Sequence, residues 1–312
     1  MSNSTLVGAY TVGIVVTHNP THLFESTLSA LVPQVYEVVI VDNASAPQNL
    51  DYIRGAASRH RCHVISNPEN YGVGTALNQG VEWALSRGRS WALLLDQDTQ
   101  LHDHALASLA ALRESHPERD SLAIVAANFV DRATRALVLK PPASLERPWF
   151  PTTGTITSGS LLSLSAYKEI GPFRDEFFID HVDIEYCLRA KRRGFKIIVS
   201  TAPLMIHSIG TGVVNTFLGV RTRTSNHSPI RRYYVTRNCI VLAKEYWRSD
   251  LRYVAYLLRQ LLKTMILVMV FEGQKGDKLL HALFGLWDGL RGRLGPYGRT
   301  VPPRVISRDG DR

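Results

Sequence analysis

Residues 91–98 read Trp-Ala-Leu-Leu-Leu-Asp-Gln-Asp, an apolar run that stops abruptly at two acids spaced i and i+2. The run has the length and composition of a buried strand, so Asp96 and Asp98 are expected at its carboxyl end. In an extended segment alternate side chains share a face, which would aim both carboxylates at one hard cation able to carry a diphosphate. A strand running into an acidic turn has the same pattern, and only the surrounding sequence separates the two readings.

Comparable apolar runs occur at Thr11–Thr17, 37–41, His63–Ser66 and 122–126. Leu23, Leu28 and Leu31 mark a helix between the first two, and 76–85 a later one ended by Arg87-Gly88. Strands alternating with helices imply an α/β fold, with a largely parallel sheet covered on both faces. From 131 to 154 the pattern dissolves around Pro141, Pro142, Pro148 and Pro151, as in a long irregular loop over one sheet edge. A second block follows: 156–164 is apolar, 183–193 is helical with Gly194 placed to end it, and 196–200 is a further strand. After about Gly219 the character changes, through Arg221, Arg223, Arg231 and Arg232, into two long helical stretches. The expected division is a catalytic unit 1–219, with a nucleotide-handling half 1–130 and an acceptor half 151–219, then a helical region 220–298 and a frayed polar tail 299–312.

Composition supports a folded chain with an anionic partner. Of 312 residues 45% are hydrophobic and 20% charged, which excludes wholesale disorder, and 36 Lys and Arg against 27 Asp and Glu give a formal charge of +9. Cys62, Cys187 and Cys239 are few and scattered, as in a reduced cytosolic compartment without a structural zinc site. The apolar stretch 12–16 has no basic residues before it and reads as a first strand, not a signal peptide.

The strand ends carry Thr17-His-Asn19-Pro, Asp42-Asn-Ala-Ser, Asn70-Tyr-Gly-Val-Gly and Asp96-Gln-Asp98. In an open parallel sheet these ends converge on one ligand crevice. Asp42 would accept hydrogen bonds from a base or ribose, and Gly72 and Gly74 would let a nucleotide lie close to backbone. Each also has a plainer reading: Asp42-Asn43 is a good turn pair, Gly72-x-Gly74 a weak fingerprint, and Asn78 a residue that ties down a loop.

Taken as an ordered set, these motifs resemble the inverting GT-A glycosyltransferases of family 2. Within that family they are similar to bacterial rhamnosyltransferases that use dTDP-L-rhamnose to build cell-surface polysaccharide, over residues 13–238. The resemblance implies a GT-A sheet with a C-terminal helical appendage. It places Asp42 on the base or ribose, Thr17, Asn19, Asn70, Gly72 and Asn78 around the donor nucleotide, and Asp96 and Asp98 on Mg²⁺ or Mn²⁺. The stretch from Phe177 to Arg189 matches the family's acidic motif, with Asp183 on the catalytic-base position. Such a carboxylate takes the proton of the attacking hydroxyl, although a helix N-terminus would keep it acidic and weak as a base. Val182 stands where the commonest form has its first acid, so Asp180 and Glu185 remain rivals; Asp180 is alternatively an N-cap whose box Asp183 completes. His207 matches a histidine that joins the metal or the diphosphate, and Ser158 and Gly159 resemble the loop that faces the acceptor. In the segment 231–238, Arg237 is favoured as a clamp for diphosphate oxygens.

In 248–271, Arg248, Arg252, Arg259 and Lys263 fall within about 60° of one another on a helical wheel, opposite a broad apolar surface. The charge-free run 264–271 is much shorter than the ~20 residues a bilayer core demands, so the helix is expected to lie flat on an anionic inner leaflet. A second segment, 280–294, repeats helical spacing through Leu283, Phe284, Trp287 and Leu290. The alternative for both is packing on the catalytic unit or a homodimer seam.

The expected activity is therefore metal-dependent transfer of L-rhamnose from dTDP-β-L-rhamnose to a hydroxyl of a glycan, or of a polyprenyl-diphosphate-linked glycan, on the cytoplasmic face of the membrane. The alternatives are a UDP-linked donor, a phosphatase using Asp96 as nucleophile, and an inactive sugar-nucleotide binder. Nucleic acid is not expected as a partner, because the basic residues cluster late in the chain without a stacking platform.

Overall fold

The computed structural model describes residues 10–208, 213–217 and 220–298; the change of character expected at Gly219 and the tail 299–312 lie outside them. The first half alternates as expected: β1 (Thr11–Thr17), α1 (Leu23–Leu31), β2 (Glu37–Asp42), α2 (Pro47–His60), β3 (His63–Ser66), α3 (Val73–Ser86) and β4 (Trp91–Asp96). Helix α2 has no clear apolar stripe in the sequence. Pro47 starts it, and Ile53, Ala56 and Ala57 alone are buried.

There follow β5 (Gln100–Leu101), α4 (Ala105–Ser115), β6 (Leu122–Asp131), β7 (Trp149–Pro151), β8 (Ser160–Ser163), α5 (Leu164–Ile170), α6 (Val182–Arg192) and β9 (Lys196–His207). All nine strands join one sheet in the order β3-β2-β1-β4-β8-β6-β9-β5, with β7 alongside β9. Six point the same way, and β5, β7 and β8 run against them. Helices α1, α2 and α4 cover one face through Phe24, Leu28, Ile53 and Leu109, and α3, α5 and α6 the other through Leu77, Val81, Tyr167 and Tyr186. Each such side chain is worth ~1.5–3 kcal/mol when fully buried. Parallel register aligns the strand ends: Thr17 lies opposite Asp42, and Val16 opposite Asp96.

Strand β9 extends seven residues past the expected 196–200, because register shifts against β6 absorb the irregular Pro203 region. His207 is thus the last residue of a strand. The stretch 131–154 is irregular as expected, except that β7 pairs antiparallel with β9 at its end.

After an antiparallel hairpin of β10 (Val213–Phe217) and β11 (Val220–Thr224) come three helices: α7 (Pro229–Tyr246), α8 (Leu251–Phe271) and α9 (Lys275–Arg291). Two were expected; α7 was not read as a helix. Ser228 caps α7 by accepting from the Arg231 N–H, and Pro229 occupies its first turn. Helix α9 packs on α7 through small residues, so closely that a Cβ at Gly285 would come within 2.3 Å of the Tyr233 carbonyl oxygen. The α8–α9 junction is pinned by a buried triad, Glu272 accepting from Arg232 at 2.7 Å and from Lys278 at 2.8 Å.

Candidate active site

At the edge where the strands end, Asp96, Asp98 and His207 each offer a ligand atom within 4.8 Å of the others. Asp96 closes β4, but Asp98 sits in the turn after it, so the carboxylates converge by a turn and not by strand alternation. The two-residue strand β5, just past Asp98, pairs Gln100 with Ile206 and Leu101 with Met205, which zips this turn against His207. His207 Nε2 lies 3.6 Å from Asp96 Oδ2, and Nδ1 3.5 Å from Asp98 Oδ1. Burial pushes the Asp96 carboxyl up, the His207 charge opposes this, and the neighbouring Asp98 adds to the rise. Two carboxylates and one imidazole, gathered within reach of one ion, suit Mn²⁺ or Mg²⁺, the imidazole favouring Mn²⁺.

A hydrogen-bond chain sets the histidine. His207 Nδ1 is 2.9 Å from Thr99 Oγ1, which is 2.5 Å from Ser158 Oγ, and Ser158 Oγ accepts the Asp96 N–H at 3.0 Å. A consistent donor order runs from Nδ1–H to Thr99 and from the Thr99 hydroxyl to Ser158, leaving the Nε2 lone pair beside Asp96. Ser158 and Gly159 were expected to face an acceptor. Instead Ser158 is 1% exposed beneath the Asp96 turn, and Gly159, at φ +75°, backs onto the Met205 side chain.

The acidic motif is the second part of the candidate site. Phe178, Asp180 and His181 all have positive φ (64°, 61° and 62°), so three of four successive non-glycine residues are strained. The loop holds because its carbonyls are bound: Asn238 donates to Phe177, Ile179 and Asp180, Arg237 to Glu176 and Phe177, and the Val73 N–H to Phe178. The Phe178 ring also stacks on Tyr234 at 5.0 Å. Helix α6 then starts from His181, not from an Asp180 cap.

This separates the three rival acids. Burial works to raise the Asp180 carboxyl, but the charge and hydrogen bonds of Arg231 together outweigh it and hold the group below its ordinary value. Glu185 is 2% exposed and faces inward, accepting a fork from Arg189 and a bond from the Tyr246 hydroxyl. Asp183 accepts the Ile184 N–H at 2.8 Å; burial pushes it up to about 7, with the Asp180 and Asp96 charges adding to the rise. The helix-terminus expectation of a weak base is thereby reversed: desolvation wins. The Asp96 charge acts on the Asp183 carboxyl, and Arg231 interacts with both, so the two acids lie within electrostatic range of each other.

Several expected donor contacts have structural duties instead. Asn78 accepts from the Tyr167 hydroxyl and the Phe173 N–H and donates to the Phe173 carbonyl, so it ties a loop. The backbone lying close to Gly72 and Gly74 is the chain's own: a Cβ on Gly72 would sit 2.5 Å from the Phe178 carbonyl oxygen, and one on Gly74 2.9 Å from that of Arg174. Arg237 is fully buried, with its guanidinium bonded to Asn238 and to the carbonyls of Glu176, Phe177 and Gly295, so it is no diphosphate clamp. Thr17 and Asp42 are each 1% exposed; Thr17 donates to Asp42, which also binds the Ser45 hydroxyl and N–H and shapes the rim from within. Asn19 and Asn70 remain on that rim, bracing the Ala46 N–H and the Gly72 N–H respectively. Sequence reasoning missed Thr99, Asn238, and Arg231 as the arginine of the cleft. Only Arg231 had a sequence signal, its place in the Arg-rich segment.

Residues 14–171 match the family model "Glycosyl transferase family 2". The chain is similar to dTDP-rhamnosyl transferase RfbF of Shigella flexneri, 27% identical over 90% of this chain and 96% of the relative. It is also similar to the low-salt glycan biosynthesis hexosyltransferase Agl10 of Haloferax volcanii, 22% identical over 84% and 85%. Among solved structures, the mannosyltransferase PcManGT of Pyrobaculum calidifontis, in complex with GDP-Man and Mn²⁺, superposes with TM-score 0.59 at 15% identity, covering 91% of this chain and 88% of its own. TarS 1-349 of S. aureus in complex with UDP gives 0.57 at 17%, covering 91% and 81%. At these identities the superpositions speak for the fold.

Proposed function

The chain belongs to glycosyl transferase family 2, and from that premise we propose that it transfers L-rhamnose from dTDP-β-L-rhamnose to a hydroxyl of a glycan acceptor with inversion. The observation that carries this is the Asp96–Asp98–His207 cluster, together with an Asp183 raised to about 7 and acted on by the Asp96 charge. A carboxylate poised near neutrality is suited to take the acceptor proton as the hydroxyl oxygen bonds to the anomeric carbon and the bond to the dTDP oxygen breaks. A divalent ion bound at Asp96, Asp98 and His207 would neutralise charge on the departing diphosphate. Support for the dTDP-rhamnose donor comes from the similarity to the Shigella dTDP-rhamnosyl transferase; a UDP-linked donor is the alternative. Purified protein with Mn²⁺ and a panel of sugar nucleotides is expected to release dTDP from dTDP-rhamnose. Asp183→Asn should lower turnover by ~10²–10⁴-fold with donor binding retained, and Asp96→Ala should abolish metal-dependent turnover. Preference for a uridine donor would overturn the donor, and full activity in both variants the mechanism.

We further propose that the acceptor is lipid-linked and that α8 and α9 rest on the anionic inner leaflet. Helix α8 is long and apolar enough, by length and composition, to cross a membrane, yet it packs Val254 and Leu257 into the core. Beside that packed face Leu251, Leu258, Leu262, Ile266 and Met269 form an exposed stripe about 80° wide, flanked by Arg252, Arg259 and Lys263. On α9, Leu283, Trp287 and Leu290 are exposed on one helical face, with Arg291 stacked 3.9 Å over Trp287. Apolar rows edged with arginine fit an interfacial helix. Flotation with anionic but not zwitterionic vesicles is expected; a dimer in solution with no flotation would assign the stripe to a second copy.

A further inference from the structure

Arg231 sits where the two halves of the site meet. Its Nε lies 2.9 and 3.2 Å from the two Asp180 carboxylate oxygens, and its Nη2 3.0 Å from Oδ1. The same positive charge acts on Asp96 and Asp183. It is also 38% exposed, whereas its helical neighbours Arg232 and Arg237 are buried and fixed to Glu272 and to backbone carbonyls.

The site gathers four acids, Asp96, Asp98, Asp180 and Asp183, and the diphosphate of a sugar nucleotide would bring two further negative charges into it. The guanidinium fork accepts a carboxylate or a pair of phosphate oxygens in the same planar geometry. Asp180 is therefore an internal anion occupying a fork that suits a diphosphate. We propose that Arg231 is the diphosphate-binding arginine of this enzyme, and that Asp180 holds it in the donor-free state until the diphosphate of the incoming donor displaces the carboxylate. This rests on the reading of the chain as a sugar-nucleotide transferase, but not on which base or sugar the donor carries.

Asp180 thereby has a role distinct from that of a base: it sets the resting position of the arginine and lowers donor affinity by competing for it. The competition fixes the signs of two substitutions. Removing the arginine must weaken diphosphate binding, whereas neutralising Asp180 must strengthen it. A pair that only braced the loop would give weakening, or loss of fold, in both.

The test is titration calorimetry of dTDP, UDP and GDP, with thymidine, uridine and guanosine as controls, in Mn²⁺, on the full chain and on Arg231→Ala, Arg231→Lys and Asp180→Asn. For whichever diphosphate the wild type binds, Arg231→Ala is expected to lose ~10–100-fold in affinity, and Arg231→Lys less. Asp180→Asn is expected to gain severalfold, and the nucleoside to bind all four proteins equally. Weakened binding in Asp180→Asn, or unchanged binding in Arg231→Ala, would overturn the exchange while leaving the transferase reading intact. Failure of the wild type to bind any of the three diphosphates would overturn that reading, and the exchange with it. If Arg231→Ala does not fold, the opposite signs expected of Arg231→Lys and Asp180→Asn decide the question.

Discussion

The candidate metal corner and the acid loop act on each other through charge but are built on opposite principles. Asp96 and His207 sit at strand ends, and Asp98 in the adjoining turn, placed by parallel register and by the short β5–β9 pairing, on backbone without strain. Asp183 follows a loop in which three non-glycine residues take left-handed φ, held by hydrogen bonds from a helix more than fifty residues later. A corner built on a sheet fails locally when altered. A loop held from outside should fail with its holder, even when every catalytic residue is intact.

The sharpest way to break this contrast is at Asn238. Asn238→Ala removes a donor from the Ile179 and Asp180 carbonyls, and from that of Phe177, which keeps Arg237; each buried polar group left unpaired costs ~1–3 kcal/mol. Several kcal/mol of stability should be lost in denaturant titration, and turnover should fall toward that of Asp183→Asn although Asn238 is remote in sequence. Mn²⁺ affinity should be nearly unchanged. Activity close to wild type would mean that the loop holds itself.

The counterpart in the metal corner is Thr99→Val, which leaves the ligands in place but removes the acceptor that orients His207. Loss of such an outer partner typically costs ~10–100-fold in metal affinity. Denaturation midpoints should fall, because the buried His207 N–H loses its partner, but by less than in Asn238→Ala, since the surrounding strand pairing is untouched. Equal Mn²⁺ binding in the variant would show that the sheet alone orients the imidazole.

The same contrast explains what could be read from the sequence. The strands and the D-x-D were legible because apolar runs and terminal acids are local signals, and β1 and β3 fall where hydrophobic patterning puts them. His207 was legible as a companion of the two aspartates, although the bulged strand that delivers it was not, since Pro203 breaks the period. The duties of Gly72 and Arg237 were misassigned, and of the two readings of Asn78 the plainer one held, for one reason: all three bind the chain's own loop at 173–178, and nothing local to them reveals which backbone approaches. Helix α7 was missed because it is enclosed by neighbours and buries arginine, tyrosine and asparagine as well as apolar side chains, which leaves no stripe of one polarity.

The smallest expected effect is the most specific to the acid loop, because it reads the environment of Asp183 without requiring catalysis. Its carboxyl is pushed up to about 7 by burial, with help from the charges of Asp180 and Asp96, against 3.8 for the unperturbed group. A group raised in the fold contributes stability that is fully present below its unfolded value and is lost as pH rises through the folded one. Wild type and Asp183→Asn should thus have equal stability near pH 4, with the variant becoming the more stable by on the order of 1–2 kcal/mol by pH 8, after allowance for partial exposure. The comparison belongs in metal-free buffer, so that no bound cation alters the field on Asp183. Turnover of the wild type should fall on the acid side with a midpoint displaced well above 3.8, toward 7, as protonation removes the base. A midpoint near 4, together with parallel stability curves, would mean that Asp183 is solvated like a surface acid and that the strained loop does not wall it off from water.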